Sequence, residues 1–439
     1  MLPVLTKDND NKFLYLSAYE HFKQMILDGA LSPGQRLPSL RKAAQELDLS
    51  RTTLESAYLL LAADGYILAR PNSGYYVTDL GRHLPPENGE ILAPAPVLYD
   101  FSTSGADPDS FRLDLWSRYM KHALRQDERM RTYGDAQGEA DLRQALTAYL
   151  RRHRNIYCSP EQIVVGASTQ SLLQLVCPLL KPRQTVSFPT EGFSQGRAVF
   201  SDFGFSLSTR DKNCDIIYVS PAQMTKWGEL MPPARRMELV SHARQTGRLV
   251  IEDDYGNEFI YLPKPAPSLF GLDQGEHVLY LGSFSRLLLP SIRISFMILP
   301  SFIRKCYHKK ANLYNQTASK AEQIALAQFI TDGQFEAQLR RQRRIYGQKR
   351  TSLLEAVQKV FPSCKYTIGP AGTVLALTLS SSMEPKAFVS HAQKNGIRLQ
   401  AMAGKKNELT VLLSCQSLSS EDFVPGLELL RKIHGEQSA

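Results

Sequence analysis

Three short stretches carry side chains suited to holding a charged, flat ligand. Ile163-Val164-Val165 reads as a strand, and Gly166-Ala167-Ser168-Thr169 then opens a helix expected from Gln170 to Leu180. Small residues and hydroxyls at a helix start seat a phosphate, because the first free N–H groups point outward there. Many strand-to-helix turns look alike, so this stretch is weak by itself. Leu249-Val250-Ile251 is an apolar strand ending in Glu252-Asp253-Asp254-Tyr255. Carboxylates at the carboxyl end of a sheet strand lie where α/β proteins bind ligands. Such a group keeps a pyridine nitrogen protonated, and a nearby phenol bonds a ring oxygen; a capped strand end is the plainer reading. In "HVLYLGSFSRLLLPSIRISFMILP" the loop Gly282-Ser283-Phe284-Ser285-Arg286 joins two strands, the second expected to carry Arg293 among apolar residues. A ligand phosphate or a structural salt bridge would each give that arginine a partner.

These pieces need a sheet to hold them. From Val97 on, short β-branched runs alternate with helical stretches, the pattern of a large α/β domain. Residues 1–79 form a separate helical head, and residues 80–97 read as an extended linker with Pro85, Pro86, Pro94 and Pro96 around Gly81 and Gly89. The body then occupies residues 98–439, with no internal repeat.

In the head, Leu14 to Leu27 has helical spacing and breaks at Asp28-Gly29. A turn at Ser32-Pro33-Gly34 precedes a second helix, opened by Pro38-Ser39 and running through Leu47. Ser50 is a good N-cap for a third helix to about Ala63. Two helices joined by a tight turn are a helix-turn-helix unit, whose second helix offers its first turn, here Arg51, Thr52 and Thr53, to the major groove. Tyr66 to Leu68 and Tyr75 to Val77, around Pro71-Asn72-Ser73-Gly74, make a small hairpin wing. A three-helix protein-interaction module is the other reading of the pattern.

The residues narrow that choice. "GALSPGQRLPSLRKAAQELDLSRTTLESAYLLLAADGYILARPNSGYYV" resembles the winged-helix DNA-binding domain of GntR-type bacterial regulators over its whole length. The resemblance implies DNA contacts by Arg41, Arg51, Thr52, Thr53, Ser73 and Gly74. The body, through "RTYGDAQGEADLRQAL", the three stretches above and "AEQIALAQFITDGQFEAQLRRQRRIYGQKR", is similar to the fold type I aminotransferase-like domain fused in MocR-type regulators. That resemblance covers nearly the whole chain. It implies an operator-binding homodimer whose body senses pyridoxal phosphate or its amino-acid adducts and mostly does not catalyse. Carried over, Asp253 faces the pyridine nitrogen and Tyr255 the ring hydroxyl. Ser168, Thr169, Ser283, Ser285 and Arg293 hold the phosphate, and Phe193 stacks on the ring where the family usually has tyrosine.

The chain departs from the family where the chemistry is done. The family loop ends in the lysine that forms the Schiff base, and here that position is Arg286. A guanidinium, which has no available lone pair, cannot form an imine. The family stretch Pro-Ser-His-Gln-Tyr-Pro appears as Pro221-Ala222-Gln223-Met224-Thr225-Lys226, and "NELTVLLSC" lacks the arginine that clamps a substrate carboxylate. No catalysis is expected. Three uses of the pocket remain: pyridoxal phosphate bound non-covalently with Arg286 on its aldehyde or phosphate, another anionic ligand, or a relic in a dimerisation scaffold. An active aminotransferase carrying a DNA-binding domain is the rival reading.

Composition bounds the rest. The 439 residues are 43% hydrophobic and 22% charged, which excludes disorder, collagen and coiled coil. No apolar run reaches the roughly 18–20 residues of a membrane span. Met1 to Lys12 carries Asp8 and Asp10 without an apolar signal core, so a cytoplasmic protein is expected. Six cysteines without a CxxC pair are expected to be buried thiols, with no zinc site or other metal. The net charge of +9 invites a nucleic-acid reading, yet residues 1–80 hold eight Lys and Arg against nine Asp and Glu. Residues 301–350 hold eleven basic residues against three acidic ones. That excess is either a solvated helix face or a surface along which DNA flanking the operator lies.

Overall fold

The computed structural model describes residues 14–71, 73–79, 96–102, 105–181, 183–189, 193–259, 266–370, 372–405 and 407–435. The chain falls into two units, residues 1–93 and 94–439. The expected linker lies almost entirely outside the described residues, since 80–95 are among those not described.

In the first unit, helices α1 (Leu14–Leu27), α2 (Leu40–Leu47) and α3 (Arg51–Ala63) precede strands β1 (Ile67–Arg70) and β2 (Gly74–Val77). Serine caps start both helices of the turn: the Ser39 hydroxyl accepts from the Lys42 amide, and that of Ser50 from the Thr53 amide at 3.0 Å. Between them Asp48 adopts the left-handed conformation (φ 52°) that ends α2. Phe22, Tyr58 and Tyr75 meet edge to face at 5.2 Å each, linking α1, α3 and β2 through one buried aromatic, Tyr58. The buried Tyr58 hydroxyl donates to Pro38 O at 3.1 Å, which fixes α3 against the start of α2.

In the second unit, Tyr99–Asp100 (β3) pairs later with Ile397–Arg398. A seven-stranded sheet follows, from β4 (Ile163–Gly166), β5 (Thr185–Phe188), β6 (Ser206–Thr209), β7 (Ile216–Val219), β8 (Leu249–Asp253), β9 (Val278–Ser283) and β10 (Ser295–Ile298). Their order is β4-β10-β9-β8-β7-β5-β6; β10 runs antiparallel to both neighbours and every other pairing is parallel. The carboxyl ends of β4, β5, β7, β8 and β9 therefore share one edge. Both faces are covered: Ile163 and Val165 enter one apolar cluster and Val164 the other. This is why the strands read as continuous apolar runs.

A smaller antiparallel sheet holds β11 (Lys365–Thr367), β12 (Val374–Ser380), β14 (Gln400–Ala403) and β15 (Glu408–Ser414), in the order β11-β12-β15-β14, with β13 (Ile397–Arg398) beside β3. The helix Gln334–Val360 joins the two parts, burying Phe335, Leu339 and Tyr346 in the large core and Leu353, Ala356 and Val357 in the small one.

Three expectations change. The helix expected over Gln170–Leu180 is Thr169–Val176 followed by a tighter turn, Cys177–Leu179, because Pro178 has no N–H to continue the α ladder. Arg293 precedes β10 and does not lie within it; the turn after Pro290 delays the strand to Ser295 and leaves Arg293 exposed. Of the six cysteines, all free, only Cys177, Cys214 and Cys415 are buried, and Cys306 is exposed on the outer side of a surface helix. Among the described residues no helix is long and apolar enough to cross a membrane, and no group of His, Cys, Asp and Glu is arranged to hold a metal.

Candidate functional site

A cavity of about 600 Å³ opens at the carboxyl edge of the large sheet. It is lined by eight of the nine residues assigned to a ligand from the sequence: Ser168, Thr169, Phe193, Asp253, Tyr255, Ser283, Ser285 and Arg293. One end is an anion cup. The Ser168 hydroxyl caps its helix by accepting from the Ser171 amide at 3.1 Å, and the Thr169 and Gln170 amides have no partner within the helix. Opposite, Arg293 Nη1 donates to Ser285 Oγ at 3.2 Å, and Ser295 Oγ to Ser283 Oγ at 3.0 Å. A guanidinium, hydroxyls and helix amides converging in this way suit a phosphate.

The carboxylate run divides by strand alternation. Glu252, fully buried, accepts from the Leu269 and Phe270 amides, both at 2.8 Å, and so caps the helix Leu269–Asp273. Asp254 turns away from the cavity to a bidentate pair with Arg154 at 2.7 and 2.8 Å and accepts from Tyr280 at 2.6 Å. Only Asp253 of the three faces the cavity. Burial pushes its carboxyl up to about 6, opposed by the Tyr218 hydroxyl, which donates to Oδ2 at 2.6 Å.

Tyr218 was missed in the sequence, where "DIIYVS" reads only as a core strand. Its ring lies between Phe188 and Phe193, stacked at 5.2 and 5.4 Å. Phe193 in turn packs on Gly196, where any Cβ would strike its ring. Gln223 also lines the cavity, and its buried Oε1 has no hydrogen-bond partner. Anion cup, aromatic wall, cavity-facing carboxylate and orphaned acceptor together fit a phosphate-bearing aromatic ring.

Arg286 is the exception. It does not line the cavity. Its guanidinium donates to Thr373 Oγ1 and lies over the rings of Tyr255, at 5.2 Å, and Phe259, at 4.9 Å. Nε and Nη1 are buried without partners. Thr373 and two aromatic faces thus hold the Arg286 guanidinium apart from the residues that line the cavity.

The head carries its own candidate surface. Arg41, Arg51 and Thr52 are exposed, while Thr53 is half-buried. The Ser50 hydroxyl engages those of Thr52 at 2.8 Å and Thr53 at 2.7 Å, fixing the first turn of α3. In the wing, Ser73 Oγ bonds the Tyr76 hydroxyl at 2.7 Å and the Arg70 guanidinium lies 4.5 Å over the Tyr76 ring. Gly74 (φ 107°) faces Arg36 at 3.3 Å from where a Cβ would sit, so exposed Arg36 and Arg70 join the wing surface. Neither was among the contacts that the resemblance implied. Part of the basic excess of residues 301–350 is structural: Lys349 is buried against Asp107 at 2.5 Å, and Lys320 donates to Thr132 O at 2.9 Å. Arg340 and Arg344 remain exposed beside a surface groove.

Comparison with known proteins agrees with this division. Residues 14–77 match the family "Bacterial regulatory proteins, gntR family", and residues 107–404 match "Aminotransferase class I and II". The uncharacterized HTH-type transcriptional regulator YdeL of Bacillus subtilis is 32% identical, over 95% of this chain and 96% of its own. The probable rhizopine catabolism regulatory protein MocR of Rhizobium meliloti is 28% identical, over 91% and 88%. Among solved structures, an archaeal alanine:glyoxylate aminotransferase superposes with a TM-score of 0.69 at 21% identity, covering 77% of this chain and 91% of that one. Pyrococcus horikoshii kynurenine aminotransferase gives 0.67 at 21% identity, covering 82% and 99%. Those superpositions establish the fold type I architecture of the body. Because the likeness to the regulators runs almost from end to end, through head and body alike, the chain belongs to the MocR-type subgroup of the GntR family of HTH-type transcriptional regulators.

Proposed function

We propose that the head reads an operator through the first turn of α3 and the wing, and that the body cavity senses pyridoxal phosphate or a related phosphate-bearing anion. The presence of Ser168, Thr169, Ser283, Ser285 and Arg293 together with Asp253 in the lining of one cavity carries the ligand reading. Arg293 and the hydroxyls bind the phosphate, Phe193 covers the ring, and Asp253 holds a proton on the ring nitrogen. Pyridoxal phosphate, when bound, supplies an aldehyde and an electron-withdrawing ring. Position 286 supplies neither an imine-forming amine nor a base for proton transfer, so the body does not catalyse amino-group exchange. Homodimerisation in the cytoplasm places two heads on one operator. A ligand that favours one arrangement of the chain then changes operator affinity, in proportion to its differential affinity for the two arrangements.

Equilibrium dialysis tests the ligand reading. The full chain retains pyridoxal phosphate, and Arg293→Ala loses about tenfold or more in affinity, as expected for a charge-assisted phosphate contact of roughly 1.5–3 kcal/mol. Equal retention by both proteins contradicts the assignment of the cup. Turnover of an amino acid with added pyridoxal phosphate contradicts the non-catalytic reading.

A further inference from the structure

The cavity holds one amine that the family comparison does not assign. Lys226 is the single lysine among the described residues that line it, on the loop that also presents Gln223, Met224 and Thr225 to the cavity. That loop is closed on itself and clamped. The Met224 amide donates to Glu229 O at 2.8 Å, the Gly228 amide to Thr225 O at 3.1 Å, and the Met231 amide to Pro221 O at 2.8 Å. The Gly369 amide, from the smaller sheet's side, donates to Trp227 O at 2.8 Å, and Gly369 and Gly372 approach the loop backbone too closely for any Cβ. The backbone of Lys226 is thus held in place while its side chain stays exposed at the cavity. Glu229, the nearest acid in sequence, is turned to the Trp227 indole N–H at 3.1 Å, and no carboxylate of the described residues lies within ion-pair distance of Lys226.

We infer that Lys226 is the covalent attachment point for an aldehyde ligand in this cavity, replacing the amine that position 286 has lost. The inference rests on the reading of the cavity as a pyridoxal phosphate site, and adds one bond to its otherwise non-covalent hold. The neutral Lys226 nitrogen adds its lone pair to the aldehyde carbon, a C=N bond forms, and the aldehyde oxygen leaves as water with both nitrogen protons. No oxidant or further reactant is needed. The amine arrives on a segment tied to the smaller sheet's side through Gly369, so ligand capture links the two parts of the body.

The experiment uses the full chain with pyridoxal phosphate, reduction by borohydride and peptide mapping by mass spectrometry, alongside equilibrium dialysis without reduction. The expected result is one adduct per chain, on the peptide containing Lys226. Lys226→Arg keeps the charge and removes the imine-forming amine; it loses the adduct while dialysis still reports pyridoxal phosphate retained. Lys264→Arg, at a lysine outside the described residues, leaves the adduct in place. Three results overturn the inference. Retention by dialysis with no adduct in the wild type refutes Lys226 but leaves the cavity reading standing. An adduct that survives Lys226→Arg, or is spread over many lysines, refutes the attachment point. No retention and no adduct at all removes the inference together with the cavity reading. Melting curves of both variants, matched to the wild type, exclude misfolding as the cause of a lost adduct.

Discussion

Tyr218→Phe removes one hydrogen bond from the cavity and leaves the aromatic stack intact. The Tyr218 hydroxyl donates to Asp253 Oδ2 at 2.6 Å, and Tyr218 itself is only 1% exposed. Burial raises the Asp253 carboxyl to about 6, and this hydroxyl is the side-chain contact that restrains the rise. A hydrogen bond to a charged acceptor contributes roughly 1.5–3 kcal/mol. At about 1.36 kcal/mol per pH unit, its loss should lift the carboxyl by roughly one to two units further. A raised value means that the carboxylate, the form able to hold a proton on a ring nitrogen, exists only at higher pH. Retention of pyridoxal phosphate by the wild type should therefore strengthen as the pH rises through about 6. In Tyr218→Phe the same rise should come roughly one to two units later. Dialysis over a pH series gives both profiles, and the ligand's own titrations cancel in the difference. Coincident profiles, or a variant shifted to lower pH, refute the pairing of Tyr218 with Asp253.

Three other perturbations address separate parts of the molecule. Gly196→Ala places a methyl group into the Phe193 ring and should weaken pyridoxal phosphate retention by about tenfold, near 1.4 kcal/mol, with little change in melting temperature. Arg154→Ala leaves Asp254 charged and buried, since the pair is 4% and 1% exposed; urea unfolding of the body should show a loss of about 3–5 kcal/mol. Arg51→Ala should weaken operator binding by about 1–3 kcal/mol in fluorescence anisotropy if Arg51 reads a base; unchanged affinity removes it from the contact surface.

The head was legible in its sequence because each local signal acts locally. Ser39 and Ser50 cap the helices they immediately precede, Asp48 ends one, and the wing turn lies between its own strands. In the body the same was true of Ser168, Asp253 and Ser283, whose positions follow from a strand ending and a loop beginning. The fates of Glu252 and Asp254 were not legible, since they depend on amides at Leu269 and Phe270 and on Arg154, far away in sequence. Arg286 shows the same limit more sharply. Its chemistry was plain from its type, but its direction is set by Thr373, eighty-seven residues on, and by the rings of Tyr255 and Phe259. Arg293 was misplaced because "SIRISFMILP" carries apolar residues on both sides of Arg293, and such a run cannot say where pairing with β4 and β9 begins. Tyr218 carried no signal at all: a tyrosine in a buried strand looks like core until its hydroxyl partner is known.

The central claim joins the two units: a ligand in the body cavity changes how the head binds DNA. The direct measurement takes an operator selected from a random duplex pool and titrates it with the full chain, with and without saturating pyridoxal phosphate, for the wild type and for Arg293→Ala. The account predicts that pyridoxal phosphate shifts the wild-type operator affinity and leaves that of Arg293→Ala unmoved at the same ligand concentration. An operator affinity indifferent to pyridoxal phosphate in the wild type, or shifted equally in both proteins, would contradict it.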